Sequence, residues 1–299
     1  MLGKLTKNSF KANMSSVSGV YLAMVILGAV MGILLLIDWS KWGDLGFGLG
    51  TLVKCLAAGA LCLTAGIGVI MTLVGVISEY SRNMFGAEGH LTMTLPVKSS
   101  TLLLSKWISG SFWVLVSYGV LCLCAFGSFV YIINHTLSAI ENNAMYYSVY
   151  EVVVQMIEEL CRAFDVVMPR IELLVNLASM YAFEYAIRLC GFVIIIYFSI
   201  TLAHCKPFHK AGKFGGIIYF FLTFFGVFTF ESMIAKFVKV YIIFNEEFYT
   251  LTLSQSEVAA GWEFGFPAFC VTKVYCAALA SIFIFVLTSI LIERKVNVS

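Results

Sequence analysis

The sequence predicts an all-α membrane protein with six transmembrane helices and both termini in the cytoplasm. The 299-residue chain is 61% hydrophobic and only 12% charged, whereas a typical soluble domain has about 25% charged residues. Apolar runs long enough to cross a bilayer, about 20 residues each, recur six times. Because a backbone inside hydrocarbon must satisfy its own polar groups, each run is expected to be a helix.

The six apolar runs define a single transmembrane domain, residues 1–299. The predicted spans are residues 17–37, 55–78, 107–133, 173–203, 214–230 and 274–292. The first run is longer than the apolar core of a signal peptide, and no A-x-A cleavage pattern follows it, so we expect a retained helix.

The distribution of Lys and Arg predicts the orientation. If the N-terminus is cytoplasmic, the inner segments carry eleven of these residues and the outer segments carry seven. The outer segments also hold most of the acidic residues. Since positive residues accumulate on the cytoplasmic side, both termini are predicted to be cytoplasmic.

Two long outer loops follow from this orientation, residues 134–172 and 231–267. In the first, Val149, Val153, Met156 and Leu160 recur at helical spacing with acidic residues on another face, which predicts an amphipathic helix. The second loop is rich in aromatic residues, which indicates a re-entrant or interfacial helical segment.

The longest cytoplasmic segment is the loop of residues 79–106. Gly86 and Gly89 allow a tight bend, and Pro96 should end any helix that precedes it. A short helix over residues 90–95 would therefore stand between spans two and three, and Ser99 or Ser100 could cap the next helix. An ordinary connection is the alternative interpretation, since long connections are not always functional.

The run NMFGAEGHLTMTLPVKSS in this loop resembles a segment of ABC-2-type transporter permeases of Gram-positive bacteria, which read roughly R-N-L-F-G-D-E-G-Y-L-T-x-T-L-P-V. The opening MLGKLTKNSFK also resembles the N-terminus of that family. The chain departs from the pattern at Ala87 and Ser9, where acids are common, and at His90, where Tyr is common. The matching positions of the loop are Arg82, Asn83, Phe85, Gly86, Glu88, Gly89, Leu91, Thr92, Thr94, Leu95, Pro96 and Val97.

The resemblance implies the membrane-spanning permease subunit of an ATP-driven exporter in a bacterial cytoplasmic membrane. Such a subunit pairs with a separate ATPase, which binds ATP and Mg, and with a second permease as a homodimer or heterodimer. It would export a hydrophobic or amphipathic peptide, drug or lipid by alternating access. The loop would then couple the ATPase to the spans through Arg82, Phe85, Gly86, Glu88, Gly89, His90, Leu91, Thr94, Leu95 and Pro96.

The sequence predicts no enzyme and no cofactor bound by this chain. The Gly-Lys pair that follows a turn, Gly212–Lys213, is followed by Phe214 rather than the Ser or Thr of a phosphate-binding loop, and Pro207 stands in place of the first glycine. The motif HCKPFH stands in a basic loop, which disfavours a metal site; its lysines are expected to meet anionic lipid. No basic patch with interleaved aromatic residues points to nucleic acid.

Glu184 and Arg188 are the clearest charged residues within a predicted span. They are four residues apart in the order that favours an ion pair on one helical face, and charges within a membrane usually face the interior of a helix bundle. They suggest a substrate path or gate, a contact to a second permease, or a neutralised structural pair. Two rival functions remain open: an ion-coupled secondary transporter that uses this pair, and a non-transporting immunity or sensor subunit that binds a peptide.

Overall fold

In a computed structural model, the structure describes residues 2–36, 43–86, 98–140, 154, 171–205, 212–244, 249–253, 258 and 268–295. Most of them are helical. The helices are α1 Leu2–Leu36, α2 Gly43–Phe85, α3 Ser99–Ile140, α4 Ile171–Ala203, α5 Gly212–Phe237 and α6 Val271–Lys295. The strands are β1 Tyr241–Phe244, β2 Tyr249–Thr252 and β3 Ala268–Cys270.

Among the described residues, five helical segments are long and apolar enough to cross a membrane: Leu56–Phe85, Ser99–Ser128, Val175–Ala203, Gly215–Phe237 and Val271–Glu293. A sixth is reached only if Leu2–Met14 and Ser18–Val30, which meet at 49° within α1, count as one span. The helical character predicted for a membrane protein is therefore confirmed, with five or six candidate spans. Each of the five straight segments overlaps one of the predicted spans after the first.

The all-α prediction is wrong at the end of α5, where the chain forms an antiparallel sheet of order β2-β1-β3. Tyr241 pairs with Thr252 on one side and with Cys270 on the other. A re-entrant or interfacial helical segment was predicted over residues 231–267, which include β1 and β2. The segments YIIF and YTLT consist of aromatic, β-branched and leucine side chains, and the first two classes favour strands, whereas the prediction weighed only their apolar character.

Several predicted boundaries also move. Span five was predicted to end before Glu231, but α5 continues to Phe237. Glu231 does not end the helix, because its carboxylate pairs with Arg188 of α4. The loop of residues 79–106 is shorter than predicted, since α2 continues to Phe85 and α3 begins at Ser99, as a serine cap would favour. The amphipathic helix predicted around residues 149–167 lies outside the described residues except for Val154.

The chain divides into two compact units, each with its own packing. One comprises residues 1–9, 77–111 and 160–299, and its core includes Leu103, Val193 and Ile194, all fully buried. In the same unit Phe269 of β3 packs against Leu177 and residues of α6.

The other unit comprises residues 10–76 and 112–159. There the ring of Phe10 lies 5.2 Å from that of Trp113. The Cys62 thiol donates to Ser128 Oγ at 3.4 Å. Aromatic contacts and small polar groups thus hold this unit together.

The helices expose many large apolar side chains. No residue in the most apolar stretch of α5 is buried within the chain, and Leu222 and Phe228 of this helix are 71% and 59% exposed. Contiguous apolar surface on this scale is unusual for a soluble monomer. Such helices require apolar surroundings, either the hydrocarbon of a membrane or an apolar protein surface.

Candidate functional site

The end of α2 and the start of α3 are joined by a buried ion pair. Lys106 Nζ lies 2.8 Å from Glu79 Oε1, and the two side chains are only 10% and 4% exposed. Asn83 Nδ2, one turn further along α2, also donates to Glu79 Oε1 at 3.3 Å. The carboxylate thus receives two hydrogen bonds, which offset part of the cost of burying its charge.

The end of α4 packs against the same pair. The Tyr197 hydroxyl donates to the Lys106 carbonyl at 3.3 Å. The Tyr197 ring stacks on Tyr80 with ring centroids 3.9 Å apart and an interplanar angle of 8°. The Tyr80 hydroxyl lies 2.8 Å from Thr201 Oγ1. Three helices therefore meet in one hydrogen-bonded cluster, hereafter the loop-end network: Glu79, Tyr80, Asn83, Lys106, Tyr197 and Thr201.

The last residues of α2 are fixed as well. Phe85 stacks on His204, just beyond α4, with ring centroids 4.2 Å apart. The Gly86 N–H donates to the carbonyls of Ser81 and Arg82 at 3.2 and 3.1 Å. A Cβ at position 86 would lie 2.6 Å from the Arg82 carbonyl oxygen, so the close approach requires glycine. The chain leaves α2 at the residue where the sequence predicted a bend.

The predicted coupling residues divide into two groups. Arg82, Phe85 and Gly86 are placed at the end of α2, beside the loop-end network. The rest lie outside the described residues: Glu88, Gly89, His90, Leu91, Thr94, Leu95 and Pro96.

Apart from Asn83, which matches the permease pattern, sequence reasoning did not single out the residues of the loop-end network. Glu79 and Lys106 stand at the two edges of the loop, next to apolar runs, and were counted only as loop charges. Their symmetrical placement is the signal that could have found the pair, since a charge at the end of an apolar helix needs a partner when it is buried. Nothing in the spacing of Tyr80, Tyr197 and Thr201 predicts that they meet.

Glu184 and Arg188 form the pair that their spacing favours, with Arg188 Nε 2.9 Å from Glu184 Oε1. A third residue joins them, because Arg188 Nη1 lies 2.9 Å from Glu231 Oε2 on α5. We call Glu184, Arg188 and Glu231 the charge cluster. Glu231 was missed because it was taken as the end of a span.

The charge cluster contains two carboxylates and one guanidinium. The Glu184 and Glu231 side chains are 10% and 12% exposed, and that of Arg188 is 33% exposed. A charge near the centre of a membrane helix costs about 2.5–3.5 kcal/mol on insertion scales, so a shared guanidinium lowers the cost of both carboxylates. The cluster joins α4 to α5 and leaves one negative charge that Arg188 does not balance.

The described residues contain no group of three or more His, Cys, Asp or Glu side chains that could hold a metal ion. Of the HCKPFH motif, His204 and Cys205 are described, and Cys205 is buried. The His204 ring nitrogen Nδ1 lies 2.8 Å from the Ile200 carbonyl, so this nitrogen is already engaged.

No family model matches the chain, and neither the curated proteins nor the solved structures contain a match to it. The argument for function therefore rests on the residues of this chain alone.

Proposed function

We propose that this chain is the membrane-spanning permease subunit of an ATP-driven exporter in a bacterial cytoplasmic membrane. In this proposal the chain has six spans and cytoplasmic termini, and it pairs with a separate ATPase and a second permease. It moves a hydrophobic or amphipathic substrate by alternating access. The resemblance of residues 82–97 to ABC-2-type permeases suggests this function.

One structural observation favours the proposal over an ordinary connection. The loop-end network ties both ends of the loop to α4, so three helices converge where the loop begins and ends. A flexible connection has no need of a buried ion pair at its base, and a buried pair contributes little net stability compared with apolar packing. A loop that transmits movement from an ATPase to the spans needs both of its ends held rigidly, and the loop-end network holds them against α4.

The experiment is affinity purification of the full chain from its native membrane in mild detergent, followed by mass spectrometry. A variant with Glu88, Leu91 and Leu95 changed to Ala is compared with a control in which Lys206, Lys210 and Lys213 of the other predicted cytoplasmic loop are changed to Ala. We expect a P-loop ATPase with the wild type and the control, and its loss from the loop variant.

Two results would count against the exporter. Recovery of no ATPase, under conditions that keep other membrane complexes intact, would reject the partner. Equal recovery with the loop variant would reject the loop as the coupling element.

A second candidate, an ion-coupled secondary transporter, is favoured by the charge cluster. Carboxylates within membrane helices mark proton and ion pathways in many transporters, and here two of them share one guanidinium. This function predicts transport by the chain alone in proteoliposomes, abolished when the ion gradient is collapsed. The exporter predicts no transport until ATP and the ATPase are added.

A further inference from the structure

The charge cluster lies on the wall of a cavity of about 520 Å³ between α4, α5 and the start of α6. Its volume is within the roughly 300–1,000 Å³ of small-molecule sites. Tyr181, Tyr185 and Phe228 contribute aromatic walls, and Lys273 contributes a second cation. The cavity thus joins apolar surface to charges of both signs.

The charged groups of this cavity have unused hydrogen-bonding capacity. Each glutamate gives one oxygen to Arg188, and within the described part of the chain its other oxygen has no hydrogen-bond partner. Lys273 is exposed and forms no ion pair with any described residue. Two carboxylate oxygens and one ammonium are therefore available to a ligand, and the Arg188 side chain is one-third exposed.

The position of the cavity indicates where the ligand comes from. Glu231 lies six residues before the end of α5, about 9 Å at 1.5 Å per residue, and Lys273 is in the first turn of α6. On α4, Glu184 and Arg188 lie nine and thirteen residues inside the candidate span Val175–Ala203. The cavity thus extends from the ends of α5 and α6, where charges and tyrosines are typical of the head-group layer of a membrane, toward the middle of α4. Tyr185 and Phe228 are 55% and 59% exposed, so the wall continues into surface that faces hydrocarbon.

We infer that this cavity binds the head group of a zwitterionic phospholipid with a free ammonium, of the phosphatidylethanolamine type. The ammonium donates to the unused oxygens of Glu184 and Glu231. The phosphate accepts hydrogen bonds from the Lys273 ammonium and the Arg188 guanidinium. An ammonium binds phosphate as a point charge, and a guanidinium presents a planar fork of N–H donors. The acyl chains lie along Tyr185 and Phe228. This binding requires neither an ATPase nor transport and so goes beyond the proposed function.

The chemistry predicts a ranking among lipids. A choline head group has the same net charge but no N–H donor for the carboxylates. A glycerol head group has a phosphate but no cation to balance the second carboxylate. Of these three lipids, only the ethanolamine lipid offers N–H donors to the two carboxylates and a phosphate to Lys273 and Arg188.

The test is native mass spectrometry of the delipidated full chain, titrated with dioctanoyl lipids bearing ethanolamine, choline or glycerol head groups. We expect the ethanolamine lipid to bind about tenfold or more tightly than the others, because each lost hydrogen bond to a charged group is worth about that factor. Lys273→Gln should weaken its binding by a similar factor. The control variants Lys236→Gln and Glu293→Gln change exposed charges on α5 and α6 outside the cavity and should bind it as the wild type does.

Glu231→Gln should remove the preference for ethanolamine over choline, although this change also weakens the bond to Arg188. Lys273→Gln leaves the charge cluster intact and keeps the test valid if the Glu231 variant does not fold. Equal binding of the three lipids, or a preference for the glycerol lipid, would overturn the inference. The inference would also be overturned if Lys236→Gln weakened binding as much as Lys273→Gln does, because the lipid would then respond to any positive charge on the protein.

Discussion

Replacing Lys106 with Met tests the loop-end network most directly, because the variant keeps the apolar stem and loses only the ammonium. Glu79 then keeps the hydrogen bond from Asn83 Nδ2 at 3.3 Å and no counter-ion in the network. The residue is 5% exposed, so water cannot replace the lost partner. Removing one member of a buried ion pair costs about 3–5 kcal/mol, and we expect the free energy of unfolding to fall by that amount.

The double variant Glu79→Gln with Lys106→Met removes both charges and keeps similar shapes. A buried pair adds little beyond what neutral packing provides, so the double variant should lie within about 1 kcal/mol of the wild type. The two single changes should therefore be strongly non-additive: the double variant should lose several kcal/mol less than the sum of the two single losses, a coupling energy at or above the upper end, about 3 kcal/mol, of the range for contacting residues.

The assay is equilibrium unfolding of the detergent-purified chain by titration with dodecyl sulfate, followed by circular dichroism. Lys98→Met is the matched control, because Lys98 is exposed at the same end of the loop and should unfold as the wild type does. A Lys106 variant within about 1 kcal/mol of the wild type, additive with Glu79→Gln, would refute the reasoning that a buried ion pair fixes the loop ends.

Three further changes probe other contacts. Tyr80→Phe removes the hydroxyl bonded to Thr201 and keeps the ring stack, so the same unfolding assay should show a loss of about 1 kcal/mol; a loss near zero would mean that the hydroxyl has no effective partner. Arg188→Leu leaves two partly buried carboxylates without their guanidinium and should destabilise the chain by about 3 kcal/mol or more at neutral pH; a loss below about 1 kcal/mol in the same assay would mean that the guanidinium does not stabilise them. Gly191→Ala places a methyl group against Ser281 Oγ on α6 and should cost about 1–3 kcal/mol by overpacking, whereas the added change Ser281→Ala should restore stability; no rescue would contradict the close approach of α4 and α6.

The helical part of the fold could be predicted because a long apolar run has one stable form in hydrocarbon. The five runs after the first produce five helices of the expected place and type. The sheet could not be predicted in this way. Tyr241–Phe244 forms a strand through pairing with Tyr249–Thr252, which begins only five residues later, and with Ala268–Cys270, about 25 residues further on. Apolar character alone reveals neither the local nor the distant pairing.

The candidate sites show the same division between local and distant contacts. Glu184 and Arg188 could be paired from the sequence because they lie one helical turn apart. Glu231 could not be added to them, since it is 43 residues from Arg188 and stands where an apolar run ends. The Glu79–Lys106 pair spans 27 residues and has the same difficulty: spacing predicts a partner on the same helix, and only packing brings one from another helix.

Helix α4 is the element that the two candidate sites share. Arg188 holds α5 through Glu231, and Tyr197, nine residues further along α4, holds Lys106 and Tyr80. The separation is about 14 Å at 1.5 Å per residue, along a stretch in which Val193, Ile194 and Tyr197 are buried. A packed helix transmits displacement as a rigid body far better than a loop does. A movement imposed at the ends of the loop would therefore reach the charge cluster through α4, and in the proposed exporter this is the route by which the partner ATPase would act on the cluster.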